Sequence, residues 1–269
     1  MKLIKNKKTE VIEKKHDQYH NRLLNDDSPF AMVEAYSRAR TNIMYMYSEN
    51  ECPVYGFTSD SPNEGKSINC SNVAISFAQM GKRVLIIDGD MRNPSQHAVF
   101  DIKNKGGLSE YLAGIDKTPN YQDVGTSGLT LLTAGRIPPN PGELISKNRF
   151  DELLENSRLL FDYIFIDLPP VGLVTDGLAV AKKINGYIFV VRSNVGDLRA
   201  INRSIDALQK LGGNVCGFLL NGINPKETYS RYHSSYYGGK YGYGYGGYGY
   251  GYGRRDSKKS KDETEGKTK

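Results

Sequence analysis

Val54-Tyr-Gly-Phe-Thr-Ser-Asp-Ser-Pro-Asn-Glu-Gly-Lys-Ser-Ile-Asn-Cys-Ser-Asn-Val-Ala-Ile-Ser-Phe-Ala78 is the stretch on which the reading of this chain turns. Val54 to Thr58 reads as a buried strand, and Ile68 to Met80 carries an amphipathic helical pattern. Gly65-Lys66-Ser67 stands at the loop-to-helix junction between them. Backbone N–H groups of such a loop, together with the N-terminus of the helix, cradle phosphate oxygens. Lys66 then reaches the outer phosphates and the Ser67 hydroxyl can ligate Mg²⁺. Asp60, Ser61, Pro62, Asn63, Glu64, Gly65, Lys66, Ser67 and Ile68 are therefore the candidate nucleotide-binding residues. The pattern G-x-x-x-x-G-K-[ST] asks for glycine where this chain has Asp60.

Two further strand patterns end in acid. Val84 to Ile87 runs into Asp88-Gly89-Asp90-Met91-Arg92, and Tyr163 to Ile166 into Asp167-Leu168-Pro169-Pro170. In a parallel sheet both ends lie at the carboxyl edge, the edge that also carries the phosphate loop and where open α/β sheets bind ligands. Asp88, Asp90 and Asp167 thus converge on one metal site. Farther out, Leu129 to Leu132, Phe150 to Leu160, Gly177 to Lys183, Tyr187 to Arg192, Leu198 to Leu211 and Val215 to Leu220 continue the alternation of strand and helix patterns. This predicts an α/β P-loop NTPase fold, a mostly parallel sheet with helices on both faces. Gly81 and Gly212-Gly213 fit helix C-caps.

The chain has 269 residues, with 36 Lys plus Arg against 30 Asp plus Glu and a formal net charge of +6. Residues 1–15 contribute +4 and residues 254–269 contribute +3, which leaves the stretch between them at −1. The body is neutral, so the basic balance does not by itself point to nucleic acid or an anionic membrane. Cys52, Cys70 and Cys216 are odd in number and far apart, which suits buried thiols in a reducing compartment. Apolar runs fall far short of the roughly 18 residues a membrane helix needs, and the basic N-terminus is followed by no apolar signal core. The expectation is a soluble cytoplasmic protein. The four histidines form no cluster with the cysteines that would suit zinc.

Composition divides the chain into a charged arm (1–27), a globular domain (28–225) and a tail (226–269). The tail's stretch from 229 to 252 holds ten of the 19 tyrosines, interleaved with glycine: Tyr229, Tyr232, Tyr236, Tyr237, Tyr241, Tyr243, Tyr245, Tyr248, Tyr250 and Tyr252. With no aliphatic residue to bury and glycine raising the entropic cost of order, this segment reads as flexible, with its phenols exposed.

Together these residues resemble the bacterial tyrosine kinases of capsule and exopolysaccharide synthesis. The resemblance runs from about Val33 to Asn224 and takes in the tail. Its carriers are T-S-D-S-P-N-E-G-K-S, I-I-D-G-D-M-R and I-D-L-P-P. Leu132-Thr133-Ala134-Gly135 with Pro138-Pro139-Asn140-Pro141 and Glu143-Leu144 adds to them, as does Thr175-Asp176. In that family the Asp60 position is often not glycine.

The resemblance implies ATP and Mg²⁺ as cofactors, Lys66 on the phosphates, and Ser67, Asp88 and Asp167 at the metal, the acids directly or through water. Asp90 would accept or orient the incoming tyrosine proton. It further implies an octameric homo-oligomeric ring held by the family's E-x-x-R-x-x-R helix. Glu34 and Arg40 match that motif, Ser37 replaces its first arginine, and Arg38 is one position off, about 100° round the helix.

A separate transmembrane activator, the chain-length determinant, polysaccharide-synthesis enzymes as substrates, and a place at the inner face of the membrane through that activator complete the implied picture. The nearest alternative is a partitioning or septum-site ATPase, but its signature lysine, five residues before Lys66, is Ser61 here. A nucleic-acid-binding Tyr-Gly module is the other, yet the tail carries few basic residues before its end, so no nucleic acid is expected.

Overall fold

The computed structural model describes residues 22–46 and 52–223. The expectations for the first 21 residues of the charged arm, the tyrosine cluster and the basic end lie outside the described residues. The strands are β1 (Val54–Thr58), β2 (Val84–Asp88), β3 (Gln122–Asp123), β4 (Leu129–Leu132), β5 (Tyr163–Asp167), β6 (Gly186–Arg192) and β7 (Val215–Asn221). The helices are α1 (Phe30–Met44), α2 (Lys66–Ala78), α3 (Gln96–Val99), α4 (Leu108–Leu112), α5 (Pro141–Ser146), α6 (Asn148–Arg158) and α7 (Leu198–Lys210). The strands form one sheet in the order β3-β4-β2-β5-β1-β6-β7. Every neighbouring pair is parallel except β3 with β4.

The central strands are apolar at consecutive positions because both of their faces are covered. Val54, Leu85, Ile87, Ile164 and Ile166 enter one core with Phe150, Leu153 and Leu154 of α6 and Ile201 and Leu208 of α7. Their chain neighbours Tyr55, Phe57, Val84, Ile86 and Phe165 point the other way, onto Cys70, Val73, Ala74 and Phe77 of α2. This is the period-2 alternation of a pleated strand. Phe77 lies 5.4 Å from Phe165 and 4.3 Å from Tyr163, centroid to centroid. That contact seats α2 across the sheet, so its first turn, with Lys66 and Ser67, comes to the carboxyl edge.

Both expected glycine caps close Schellman turns. Gly81 donates to the Ala78 carbonyl (2.8 Å) and Lys82 to that of Phe77 (3.3 Å), while Gly212 donates to Gln209 and Gly213 to Leu208 (2.9 Å each).

The segment from Gly177 to Lys183 departs from its helical pattern. Only Asp176–Leu178 is helical, as one 3₁₀ turn. The Gly177 carbonyl, which in an α-helix would accept from Ala181, instead accepts from the buried Tyr187 hydroxyl at 2.7 Å. Ala179 still reaches Thr175 at 3.2 Å, but Ala181 turns to Leu178 at 3.1 Å and the ladder goes no further.

Helix α4, absent from the sequence reading, is fastened by one carboxylate. Glu110 is 6% exposed; its Oε2 accepts from the Gly107 N–H (3.1 Å), the Ser109 hydroxyl (2.9 Å) and the Arg136 N–H (3.2 Å). Burial pushes this carboxyl up, but the hydrogen bonds from Ser109 and from the backbone N–H groups of Glu110, Arg136 and Gly107 outweigh it. The group titrates below the ordinary glutamate value. Its contribution is therefore complete at neutral pH and is lost as pH falls through that lowered value. Glu110→Gln should cost about 1–2 kcal/mol at pH 7, with the deficit shrinking in acid; urea denaturation at pH 7 and near pH 4 measures both.

Candidate active site

The phosphate loop is built from backbone and held from outside. Gly65 caps α2 at φ +93°, and a Cβ there would fall 2.2 Å from Asn221 Nδ2. Glycine is thus required by conformation and by space. The loop leans on β6, β7 and α7. Asn221 Nδ2 donates to the Glu64 carbonyl at 2.8 Å, the Arg192 N–H to Glu64 Oε2 at 3.3 Å, and the Ser204 hydroxyl to Asp60 Oδ1 at 2.7 Å. Burial raises the Glu64 carboxyl above its usual range, and the N–H groups of Arg192 and Ser61 offset part of that rise.

Asp60 is not among the positive-φ residues, so its backbone has no need of glycine. The close approach falls to Gly172 instead, where a Cβ would stand 2.5 Å from the Asp60 carbonyl oxygen. Asp60 replaces the pattern's glycine as a bracket between the loop and α7. Pro62 and Asn63 are exposed at the tip, Ser61 is half-buried and donates to Asp60 Oδ2 at 2.8 Å, and Ile68 packs into the α2-side core.

Strand register delivers the acids. Asp88 and Asp167 stand opposite each other at the ends of β2 and β5, both 0% exposed. Asp90, two residues beyond, is 2% exposed. Lys66 Nζ lies 2.9 Å from Asp90 Oδ2 and 3.8 Å from Asp167 Oδ1. Burial pulls the Lys66 ammonium down, but Asp167, Asp90 and Asp88 together raise it, and it stays charged. Asp88 is pushed well above the carboxylate range, first by burial and then by the Asp167 charge. Asp167 is also raised by burial, against the pull of Lys66, the Ser67 hydroxyl and Gln96. One cation faces three buried carboxylates, a deficit of positive charge.

Asp88 Oδ1 and Asp167 Oδ1 are buried with no hydrogen-bond partner. Two carboxylate oxygens without hydrogen bonds, with the Ser67 hydroxyl available at the start of α2, fit a hard divalent cation that completes its shell with phosphate and water. No group of three or more His, Cys, Asp or Glu side chains forms a closed metal cage among the described residues.

Arg92, at the end of the D-G-D-M-R run, forms a two-pronged pair with buried Asp176: Nε to Oδ2 at 2.5 Å and Nη2 to Oδ1 at 3.0 Å. Asp176 is thereby tied to the loop that carries Asp90, whose Oδ1 accepts from the Asn93 N–H at 3.0 Å. A groove of about 920 Å³ opens beside this pair, lined among others by Arg92, Glu143, Asp176 and Lys182.

Of the residues expected to mediate assembly, Glu34 and Arg38 are exposed on α1. Arg40 is half-buried and turned into its own chain, donating to the Ser76 carbonyl at 2.8 Å. Sequence reasoning missed Gln96 and Asn221, which carry no motif spacing and meet the loop only through the fold.

No protein-family model matches the chain. It is 36% identical to CapB of Staphylococcus aureus over 216 residues, 79% of this chain and 93% of that protein. It is 33% identical to the tyrosine-protein kinase YwqD of Bacillus subtilis, over 77% of this chain and 86% of that one. Of the Escherichia coli tyrosine-protein kinase Etk it spans 27% of the length, at 33% identity. Among solved structures, the kinase domain of Escherichia coli ETK superposes with TM-score 0.69 and 32% identity, covering 80% of each chain. The cell division ATPase MinD of Pyrococcus furiosus superposes at TM-score 0.54 and 20% identity over 66% of this chain and 78% of that one, a likeness of fold alone.

Because the acids outnumber the lysine, Asp88→Asn should stabilise the protein without nucleotide. The amide keeps an acceptor for the two N–H groups on Asp88 Oδ2 and removes one buried charge. Melting in EDTA should show a higher Tm, ~2–4 °C for each kcal/mol of repulsion relieved, and an unchanged or lower Tm would refute the crowding.

Proposed function

This chain belongs to the bacterial tyrosine-protein kinase family, and from that premise we propose how it works. It transfers the γ-phosphoryl group of ATP to tyrosines of its own C-terminal cluster, chiefly between subunits, and to enzymes of polysaccharide synthesis and export. The observation that carries the reading is the meeting of Lys66, Asp88, Asp90 and Asp167 at the glycine-capped start of α2, in a chain that also holds ten clustered tyrosines. The partitioning and septum-site reading lacks its lysine at Ser61, and the likeness to MinD extends to fold only.

Phosphoryl transfer needs positioning and charge neutralisation more than covalent chemistry from the protein. Backbone N–H groups of residues 60–68, all but Pro62, hold the phosphates. Ser67, Asp88 and Asp167 would hold Mg²⁺, which when bound neutralises charge on the phosphate oxygens. Lys66 and Asp90 occupy each other in an ion pair. Incoming phosphates offer Lys66 a competing anion, and its departure exposes Asp90 Oδ2 to take the proton of a phenol. A phenol of pKa about 10 is a weak nucleophile at neutral pH, so such a base has work to do.

Assembly, partner and place follow the same reading. The protein forms an octameric ring through the outward residues of α1, Glu34 and Arg38, and docks at the inner face of the membrane on a separate transmembrane activator. No helix among the described residues is long and apolar enough to cross a membrane. Each phosphate adds about −1.5 to −2 charge. Four modified tyrosines would offset the net +6, and a heavily modified tail would leave its neighbour.

Incubation with Mg–ATP followed by phosphotyrosine blotting tests the activity. Lys66→Met should lower the signal on the order of 10²-fold or more, and a chain ending at Asn224 should lose it; persistence in either sinks the reading. Asp90→Asn should lower kcat by about 10²–10⁴-fold and keep Mg–ADP affinity, whereas loss of nucleotide would remove Asp90 from the base role. Light scattering before and after phosphatase treatment should show ring mass rising as phosphate is removed, and constant mass rejects the switch.

A further inference from the structure

Each buried carboxylate at the two strand ends has one oxygen held by hydrogen bonds and one without, that of Asp167 lying 3.8 Å from Lys66 Nζ. Asp88 Oδ2 accepts from the N–H groups of Ser95 (3.1 Å) and Gln96 (2.9 Å), and Asp167 Oδ2 accepts from Gln96 Nε2 (2.9 Å). The Oδ1 atom of each is buried without a hydrogen-bond partner. One residue stands behind both acids. Gln96 is 0% exposed; its amide nitrogen also donates to the Ser67 carbonyl (3.1 Å), and its Oε1 accepts from the Ser71 hydroxyl (2.8 Å). Every polar atom of the side chain is used, its bonds running to β5 and to the first turns of α2, while the bond to Asp88 of β2 comes from the backbone N–H.

The residue type matters. A carboxylate can turn about its last torsion and present either oxygen, so something must choose. Glutamate at this position would add a fourth acid and present no donor to Asp167, while leucine would leave Asp167 Oδ2 without its donor in a buried site. An amide satisfies a carboxylate, a carbonyl and a hydroxyl at once.

We propose that Gln96 is a positioning residue for the divalent cation. Its side-chain amide takes up Asp167 Oδ2 and ties it to Ser67, beside the hold of its backbone N–H on Asp88 Oδ2, so that the two Oδ1 atoms are those left to face the metal. The inference rests on the reading of this edge as an Mg–nucleotide site. Groups that orient metal ligands typically change metal affinity by about 10–100-fold when removed.

Calorimetry on the full-length chain, with ADP titrated in EDTA and Mg²⁺ titrated into the ADP complex, tests it. If wild-type protein binds no Mg²⁺ in the presence of ADP, the underlying reading fails before any variant is considered. Given wild-type binding, Gln96→Leu should weaken Mg²⁺ about tenfold or more and leave the ADP Kd in EDTA within about twofold. Unchanged Mg²⁺ affinity overturns the proposal. So does an equal weakening of ADP in EDTA, the mark of a general loss of packing. Should Gln96→Leu fail to fold, Ser71→Ala removes the hydroxyl that lies 2.8 Å from Gln96 Oε1 and 2.9 Å from the Ser67 carbonyl; a smaller loss of Mg²⁺ affinity in the same direction supports the proposal and none rejects it.

Discussion

Three carboxylates and one ammonium share the carboxyl edge of a parallel sheet, nearly out of reach of water, and most of the site follows from that imbalance. Parallel register sets Asp88 beside Asp167, and Lys66 reaches Asp90 and Asp167 from α2. In a low-dielectric interior water screens neither charge, and burial raises the pKa of both acids. The protein therefore holds a place whose electrostatics improve when a divalent cation and its phosphates arrive. The aromatic contact of Phe77 with β5 and the Gln96 network serve the same end, since a charge deficit is useful only if its oxygens stay where they are. Stability is given up locally for binding, a common arrangement at active sites.

The phosphate loop shows how a motif can depart from its pattern while keeping its physics. A glycine at the pattern's first position would free the backbone. Here Asp60 fills that position, with Gly172 opposite giving the room and Ser204 of α7 holding the carboxylate. Asn221, on the edge strand, closes over Gly65. The loop is thus braced by residues more than a hundred positions away, and its rigidity belongs to the whole sheet.

The central strands and long helices were legible because both-face burial writes continuous apolar runs and helix burial writes a 3.6-residue period. β1, β2, β4 and β5 fall where the runs fall, and the Gly81 and Gly212 caps where glycine follows the period. The short elements were not legible. β3 is two residues on an edge, α4 depends on Glu110, and the stretch after Asp176 carries a helical pattern that Tyr187 overrides with a single hydrogen bond. Arg40 matched an assembly motif in sequence, yet its guanidinium reaches Ser76 of its own chain, because α1 lies on α2 with Tyr36 bonded to Asn69.

What the sequence determined by itself is local chemistry at fixed spacing: Gly65-Lys66-Ser67 after a strand, Asp88 and Asp90 after a second, Asp167 after a third, and a tyrosine-glycine segment that cannot build a core. Spacing along the chain suffices there because strand ends of one parallel sheet come to one edge. Which oxygen of each acid is free, which partner Lys66 holds, why Asp60 is tolerated and what Gln96 does were decided by tertiary structure alone. Those facts depend on side chains brought together from the phosphate loop, β2, β5, β7, α2, α3 and α7, and a sequence records no distance between them.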